Sequence, residues 1–229
     1  SYKIRGAFNS IKKALAENSN IENFVCASAG NHAQGVAFVC KYLNLNGYIF
    51  MPVTTPKQKI DKTLSFGGKN IEVKLVGDYF DSTLKAAKKF SKNNNAIFLP
   101  PFDSLAVIEG QATVLHEILK QGEHKTFPDF IFLAVGGGGL SSGMLKYSRD
   151  IRSNISFRLV EPAGAASLKA SLKESKQITL DRVNNFVDGA AVARIGDLNF
   201  KILENFPSDN ILTVTEDRLC ETMIEMLNT

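Results

Sequence analysis

The sequence predicts an α/β fold of two lobes, each with a twisted, mostly parallel sheet flanked by helices. Three observations predict it. Short apolar runs alternate along the chain with stretches of helical periodicity, the pattern of repeated strand–helix units. The runs are nearly continuous in Val, Ile, Leu and Phe, as parallel strands covered on both faces are. The 229 residues, 44% hydrophobic and 22% charged, suffice for one large domain or two smaller lobes around a sizeable core.

The elements follow in order. Residues 7–17 form a helix with Ile11, Ala14 and Leu15 on one face. Residues 24–28 are a strand, 29–32 a turn and 32–43 a helix, followed by a strand over 48–51. Thr55 is the expected N-cap of the next helix, with Pro56 at its first position and Gly67-Gly68 at its end. Strands over 71–76 and 96–99 bracket a helix over 81–91. Asp103 is expected to cap a long helix that Gly122 ends after Gln121. A buried strand over 129–135 leads through Gly136–Gly139 into a helix over 140–151. Strands over 157–161 and 211–214 precede the last helix, 216–227. Tandem prolines cannot continue a strand, so Pro100-Pro101 is expected to hinge the lobes.

Composition excludes several classes. The net charge of +4 is spread over helix faces (Lys12, Lys13, Lys85, Lys88, Lys89) and makes no nucleic-acid stripe. Three cysteines, Cys26, Cys40 and Cys220, form neither a disulfide frame nor a zinc pattern, which predicts a reduced, cytoplasmic setting with Cys26 and Cys40 as small core residues. His116 and His124 lack partners at metal spacing and are expected to be structural or exposed. No apolar run reaches the roughly 20 residues that span a bilayer, and no signal peptide is visible. The chain does not open with Met and is expected to be a fragment.

Three places carry chemistry. Gly136-Gly-Gly-Gly-Leu140 joins a strand to a helix. Residues without a Cβ let the backbone close on an anion, and their N–H groups add to the positive helix terminus. So many glycines in one turn raise the entropy cost of folding, which argues for a phosphate cradle over a plain flexible turn. A dinucleotide site is the rival: Glu161 ends the next strand, where a ribose-binding acid is expected, but Ser141 stands in place of the third glycine of G-x-G-x-x-G. The second place is Ser28-Ala-Gly-Asn-His-Ala-Gln-Gly35, again strand, turn and helix. Ser28, Asn31 and His32 offer side-chain donors and the backbone offers N–H groups, a set suited to a carboxylate. Taken singly, Ser28 or Asn31 reads equally as a helix cap. The third is Lys3. A lysine amine condenses with an aldehyde only while neutral, which needs a dry pocket or nearby positive charge; otherwise Lys3 is a solvated terminus.

Together, Ser1-Tyr-Lys-Ile-Arg-Gly-Ala7, the octapeptide 28–35, the turn 136–140 and Asp188-Gly-Ala-Ala-Val-Ala193 resemble the fold-type II pyridoxal-phosphate enzymes, specifically the threonine/serine dehydratase branch. The resemblance spans nearly the whole chain in the same order and spacing. It implies pyridoxal 5'-phosphate as cofactor, bonded to Lys3, which also acts as base on the substrate's Cα. Tyr2 packs near the cofactor ring, and Asn31 hydrogen-bonds its 3′ oxygen. Gly136, Gly137, Gly138, Gly139 and Leu140 donate to its phosphate, and Gly189 approaches by its backbone. Ser28, Ala29, Gly30, Asn31 and His32 hold the substrate carboxylate. The lobes become 25–102, the smaller, and 1–24 with 103–229, the larger and cofactor-binding, incomplete at both ends.

The implied reaction is α,β-elimination of a small amino acid, threonine or else serine, to a 2-oxo acid and ammonia. From threonine the product is 2-oxobutanoate, a precursor of isoleucine. The resemblance also implies a homodimer or homotetramer. Ala29 replaces the second serine that racemases of this family use, which favours elimination over racemisation. Ser167 replaces an acid of the cation site of some relatives, beside Glu161 and Ala165, so no metal is expected. The chain stops before the segment expected to face the pyridine nitrogen. A truncated, non-catalytic ligand-binding module of the same fold is the alternative from another class.

Overall fold

The computed structural model describes residues 1–122 and 128–228, and the chain forms two compact units, Ser1–Gln111 and Ala112–Thr229. His124 lies outside the described residues. The first unit contains α1 (Lys3–Glu17), β1 (Asn23–Ala27), α2 (Asn31–Tyr42), β2 (Asn46–Met51), α3 (Lys57–Gly67), β3 (Ile71–Leu75), α4 (Phe80–Asn93), β4 (Ile97–Phe98) and the start of α5 (Leu105–Gln121). Its four strands are all parallel, in the order β3-β2-β1-β4.

Central β1 shows why an unbroken apolar run makes a strand here. Side chains alternate across the sheet. Phe24 and Cys26 pack with Ala7, Ile11, Val36 and Val39 of α1 and α2. Val25 and Ala27 pack on the other face with Phe50 and Ala87. Both faces are therefore dry. Each large side chain so buried contributes about 1.5–3 kcal/mol.

The second unit carries β5 (Phe130–Ala134), α6 (Gly139–Asp150), β6 (Ser156–Pro162), α7 (Ser167–Lys173), α8 (Asp197–Leu203), β7 (Ile211–Val214) and α9 (Glu216–Leu227). Its parallel sheet has the order β5-β6-β7. Leu133, Met144, Leu159, Leu168, Leu203 and Ile211 form its core. Cys26 and Cys40 are buried in the first unit's core, while Cys220 is exposed. His116 is held by its Nδ1, 2.9 Å from the Tyr147 hydroxyl. Among the described residues, no helix is long and apolar enough to cross a membrane.

Several local expectations need correction. The first helix starts at Lys3, four residues earlier than its periodicity indicates, so the lysine belongs to a rigid element. Thr55 does not cap α3: Pro56 takes the N-cap position, and the Thr55 hydroxyl is buried without a hydrogen bond. Ser104, one residue after the expected Asp103, caps α5 by accepting the Val107 N–H at 3.2 Å. The strand expected to be buried, β5, is largely exposed, with Phe130 54% and Phe132 63% accessible. Among the described residues it is one of the sheet's two edge strands, and its Leu133 side is the packed one. The two compact units divide inside α5, after Gln111, and within the first of them α1 packs on α2.

Candidate active site

In the first unit, Lys3 opens α1, and α1 is seated on α2 at Gly35. A Cβ at Gly35 would lie 3.2 Å from the Ile4 backbone nitrogen and 3.3 Å from the Lys3 carbonyl carbon, so glycine permits this close approach. Lys3 Nζ donates to the Pro101 carbonyl at 2.8 Å. It lies 5.7 Å from the Tyr2 ring centroid and 5.8 Å from that of Phe102, within cation–π range. Burial disfavours the charged amine and pulls its pKa from 10.5 to about 8. This is the dry environment that an amine nucleophile needs.

The turn after β1 is shaped by its own residues. Ser28 Oγ accepts the Gly30 N–H at 3.2 Å, and Ser28 N–H donates to the Phe50 carbonyl at 3.0 Å. Gly30 is the N-cap of α2, and Gln34 is the first residue to donate back to it. Helix geometry leaves the N–H groups of Asn31, His32 and Ala33 without intrahelical acceptors. Such donors on the positive end of a helix suit an anion. No atom beyond the chain neighbours lies within 4 Å of the place a Gly30 Cβ would occupy, and the Asn31 side chain is exposed.

His32 corrects one expectation. Its ring is buried and Nε2 donates to the Leu99 carbonyl at 3.0 Å, so only its backbone N–H is offered to a ligand. Burial first, then the charge of Lys3, push its pKa down to about 4, which keeps the imidazole neutral.

In the second unit, Gly136–Leu140 joins β5 to α6. Gly138 is the N-cap at φ 90°, in the left-handed region. A Cβ there would lie 2.6 Å from Ile195 Cδ1 and 2.9 Å from Asn199 Cβ, so the turn demands glycine on both counts. Ser141 Oγ donates to the Gly138 carbonyl at 3.0 Å, which turns the hydroxyl back into the helix and leaves backbone N–H groups as the donors. Gly136 packs against Ala190, with a Cβ position 3.0 Å from its Cα, so the 188–193 segment borders the turn. Gly189 is exposed, with open space at its Cβ position.

Glu161 is spent elsewhere. Its carboxylate is fully buried and accepts the N–H groups of Leu168 and Lys169, both at 2.8 Å, at the start of α7. That leaves Glu161 unable to take a ribose and removes the dinucleotide alternative built on it. Both units thus present glycine turns at helix N-termini, and the first adds a half-buried amine. Within its own unit each donor set has a matching ligand group: the backbone cradle of the second suits a phosphate, and the amine of the first suits an aldehyde. Sequence reasoning missed Pro101, Phe102, Leu99 and Asn199, which lie 67 to 99 residues from the groups they bond or face, or 62 in the case of Asn199. No local signal marks them.

Comparison with known proteins agrees with this donor set. The model of a family described as "Pyridoxal-phosphate dependent enzyme" matches residues 1–229. The biosynthetic L-threonine dehydratase IlvA of Bacillus subtilis is 44% identical over 228 residues, covering 100% of this chain and 53% of the relative. The Staphylococcus saprophyticus protein of the same name is 46% identical, covering 99% and 54%. The chain thus spans about half the length of the curated relatives it matches. Among solved structures, processed threonine deaminase isoform 2 of Solanum lycopersicum has a TM-score of 0.84 at 37% identity, covering 95% of this chain and 61% of that one. Maize serine racemase has a TM-score of 0.86 at 29% identity, covering 97% and 65%. With its glycine turns and its dry lysine, the chain belongs to the pyridoxal-phosphate-dependent enzymes of fold type II.

Proposed function

We propose that this chain is catalytic machinery of a pyridoxal-phosphate-dependent ammonia-lyase that converts L-threonine to 2-oxobutanoate and ammonia. The observation that carries the proposal is Lys3: an amine on the first turn of a helix, desolvated and held at a carbonyl. The names of the relatives support threonine as substrate. Pyridoxal phosphate, when bound, supplies an electron sink for the substrate's Cα.

The chain's own residues do the rest. Gly136, Gly137, Gly138, Gly139 and Leu140 would hold the phosphate by backbone N–H groups, with Gly189 beside them. Tyr2 would flank the ring and Asn31 would donate to the 3′ oxygen. The N–H groups of Asn31 and His32, with Ser28, Ala29 and Gly30 shaping the turn, hold the substrate carboxylate. Lys3 Nζ, half-deprotonated near pH 8, takes the Cα proton. Ala29 offers no acid, so no group at that position returns a proton to Cα, which favours elimination over racemisation. The larger lobe of the whole protein, residues 1–24 with 103–229 against 25–102, and a homodimeric or homotetrameric cytoplasmic enzyme are parts of the same proposal.

The test is borohydride trapping of the cofactor on the full-length protein, followed by peptide mapping, with a 2-oxobutanoate assay on L-threonine. The label is expected on Lys3. Lys3→Ala should lose both the label and the product. A label on another lysine, or product formation by Lys3→Ala, sinks the proposal.

A further inference from the structure

Asn199 lies in α8 and is fully buried, yet no sequence motif marks it. Its Nδ2 donates to the Gly137 carbonyl at 2.9 Å. The same carbonyl accepts the backbone N–H of Gly196, the N-cap of α8, at 3.1 Å. Two donors from one helix therefore grip one oxygen of the glycine turn. Asn199 also packs its Cβ against the space that a side chain at Gly138 would need, and its own carbonyl faces the Ser142 hydroxyl at 3.5 Å.

The consequence follows from peptide geometry. The Gly137 carbonyl and the Gly138 N–H belong to one planar peptide, and it is trans. In a trans peptide these two groups point in opposite directions. Fixing the carbonyl towards α8 therefore fixes the Gly138 N–H away from α8. Gly138 sits at φ 90°, a conformation that glycine leaves easily because its alternatives are nearly as favourable. Without the grip on the carbonyl, that peptide is free to turn over and withdraw the donor.

We propose that Asn199 is a positioning residue for the cofactor phosphate, aiming the Gly138 N–H by holding the Gly137 carbonyl in place. The inference rests on the reading above that this turn holds the phosphate. It assigns to α8, which supplies no residue to the phosphate turn itself, the task of setting its donor direction. A purely structural Asn199 would instead tie α8 to α6 with no bearing on which ligand is preferred.

The experiment compares pyridoxal 5'-phosphate with pyridoxal, which lacks the phosphate, in titrations of the cofactor-free full-length protein. Asn199→Leu keeps the approximate shape and removes the donor; Asn199→Ala serves as the second variant. Affinity for pyridoxal phosphate is expected to fall about tenfold while affinity for pyridoxal stays within about twofold. The ratio of the two affinities reports on the phosphate alone, so a change in thermal stability leaves it untouched. Equal losses for both ligands, or no loss for either, overturn the role of Asn199. A wild-type protein that does not prefer the phosphorylated ligand overturns the reading of the turn itself, and is distinguished by needing no variant.

Discussion

Lys3 serves two requirements that oppose each other. As an ammonium it is stabilised by the Pro101 carbonyl and by the Tyr2 and Phe102 rings. As a nucleophile it must lose its proton, and burial brings its pKa to about 8 to allow that. The rate at which cofactor-free protein captures pyridoxal phosphate should therefore rise with pH and reach half its limit near pH 8. Stopped-flow absorbance measures this, and a midpoint above pH 10 would show that the amine is not desolvated. The sign for stability is fixed as well. The unfolded chain holds the Lys3 proton up to 10.5 and the folded chain only to about 8, so this residue makes stability rise with pH across that window. The role proposed for Lys3 comes from its motif. Its surroundings were not legible there, because Pro101 comes from 98 residues away and reads locally as a stiff connector.

At the scale of elements, each turn is only as good as the helix it opens. The glycine turn before α6 was legible because strand, turn and helix signals adjoin in sequence. Its brace was not, since Asn199 reads locally as one polar residue in a short helix. Glu161 shows the opposite failure. Its place after a strand suits a ribose acid, and only the fold reveals that it bonds two N–H groups at the start of α7. Glu161→Gln keeps the shape but sets an amide NH2 against one of those N–H groups. It should cost about 1–3 kcal/mol of stability, read from denaturant unfolding. Burial holds the Glu161 pKa above the ordinary carboxylate value, against the pull of those two N–H bonds. An unchanged unfolding midpoint would contradict the capping role.

At the scale of the whole molecule, the parallel α/β architecture was legible because continuous apolar runs between helical stretches admit few other folds. The same signal misled at β5. An apolar run such as Phe130–Ala134 looks alike in a covered strand and in an edge strand, since its composition says nothing about what lies alongside. Among the described residues, β6 is the only strand paired to β5, and Phe130 and Phe132 stand exposed. An edge of this kind pairs with other chains. Expressed alone, this chain should self-associate, and Phe132→Lys should raise the concentration at which light scattering detects aggregates. Unchanged scattering would place the sticky surface elsewhere.

The bend between β5 and α6 is braced from inside its own unit, by the backbone of Gly196 and the amide of Asn199. Its contour therefore owes nothing to an occupant. Emptying it leaves a moulded socket instead of a slack tether, and a returning guest meets donors already in formation, with no ordering of the four glycines left to perform.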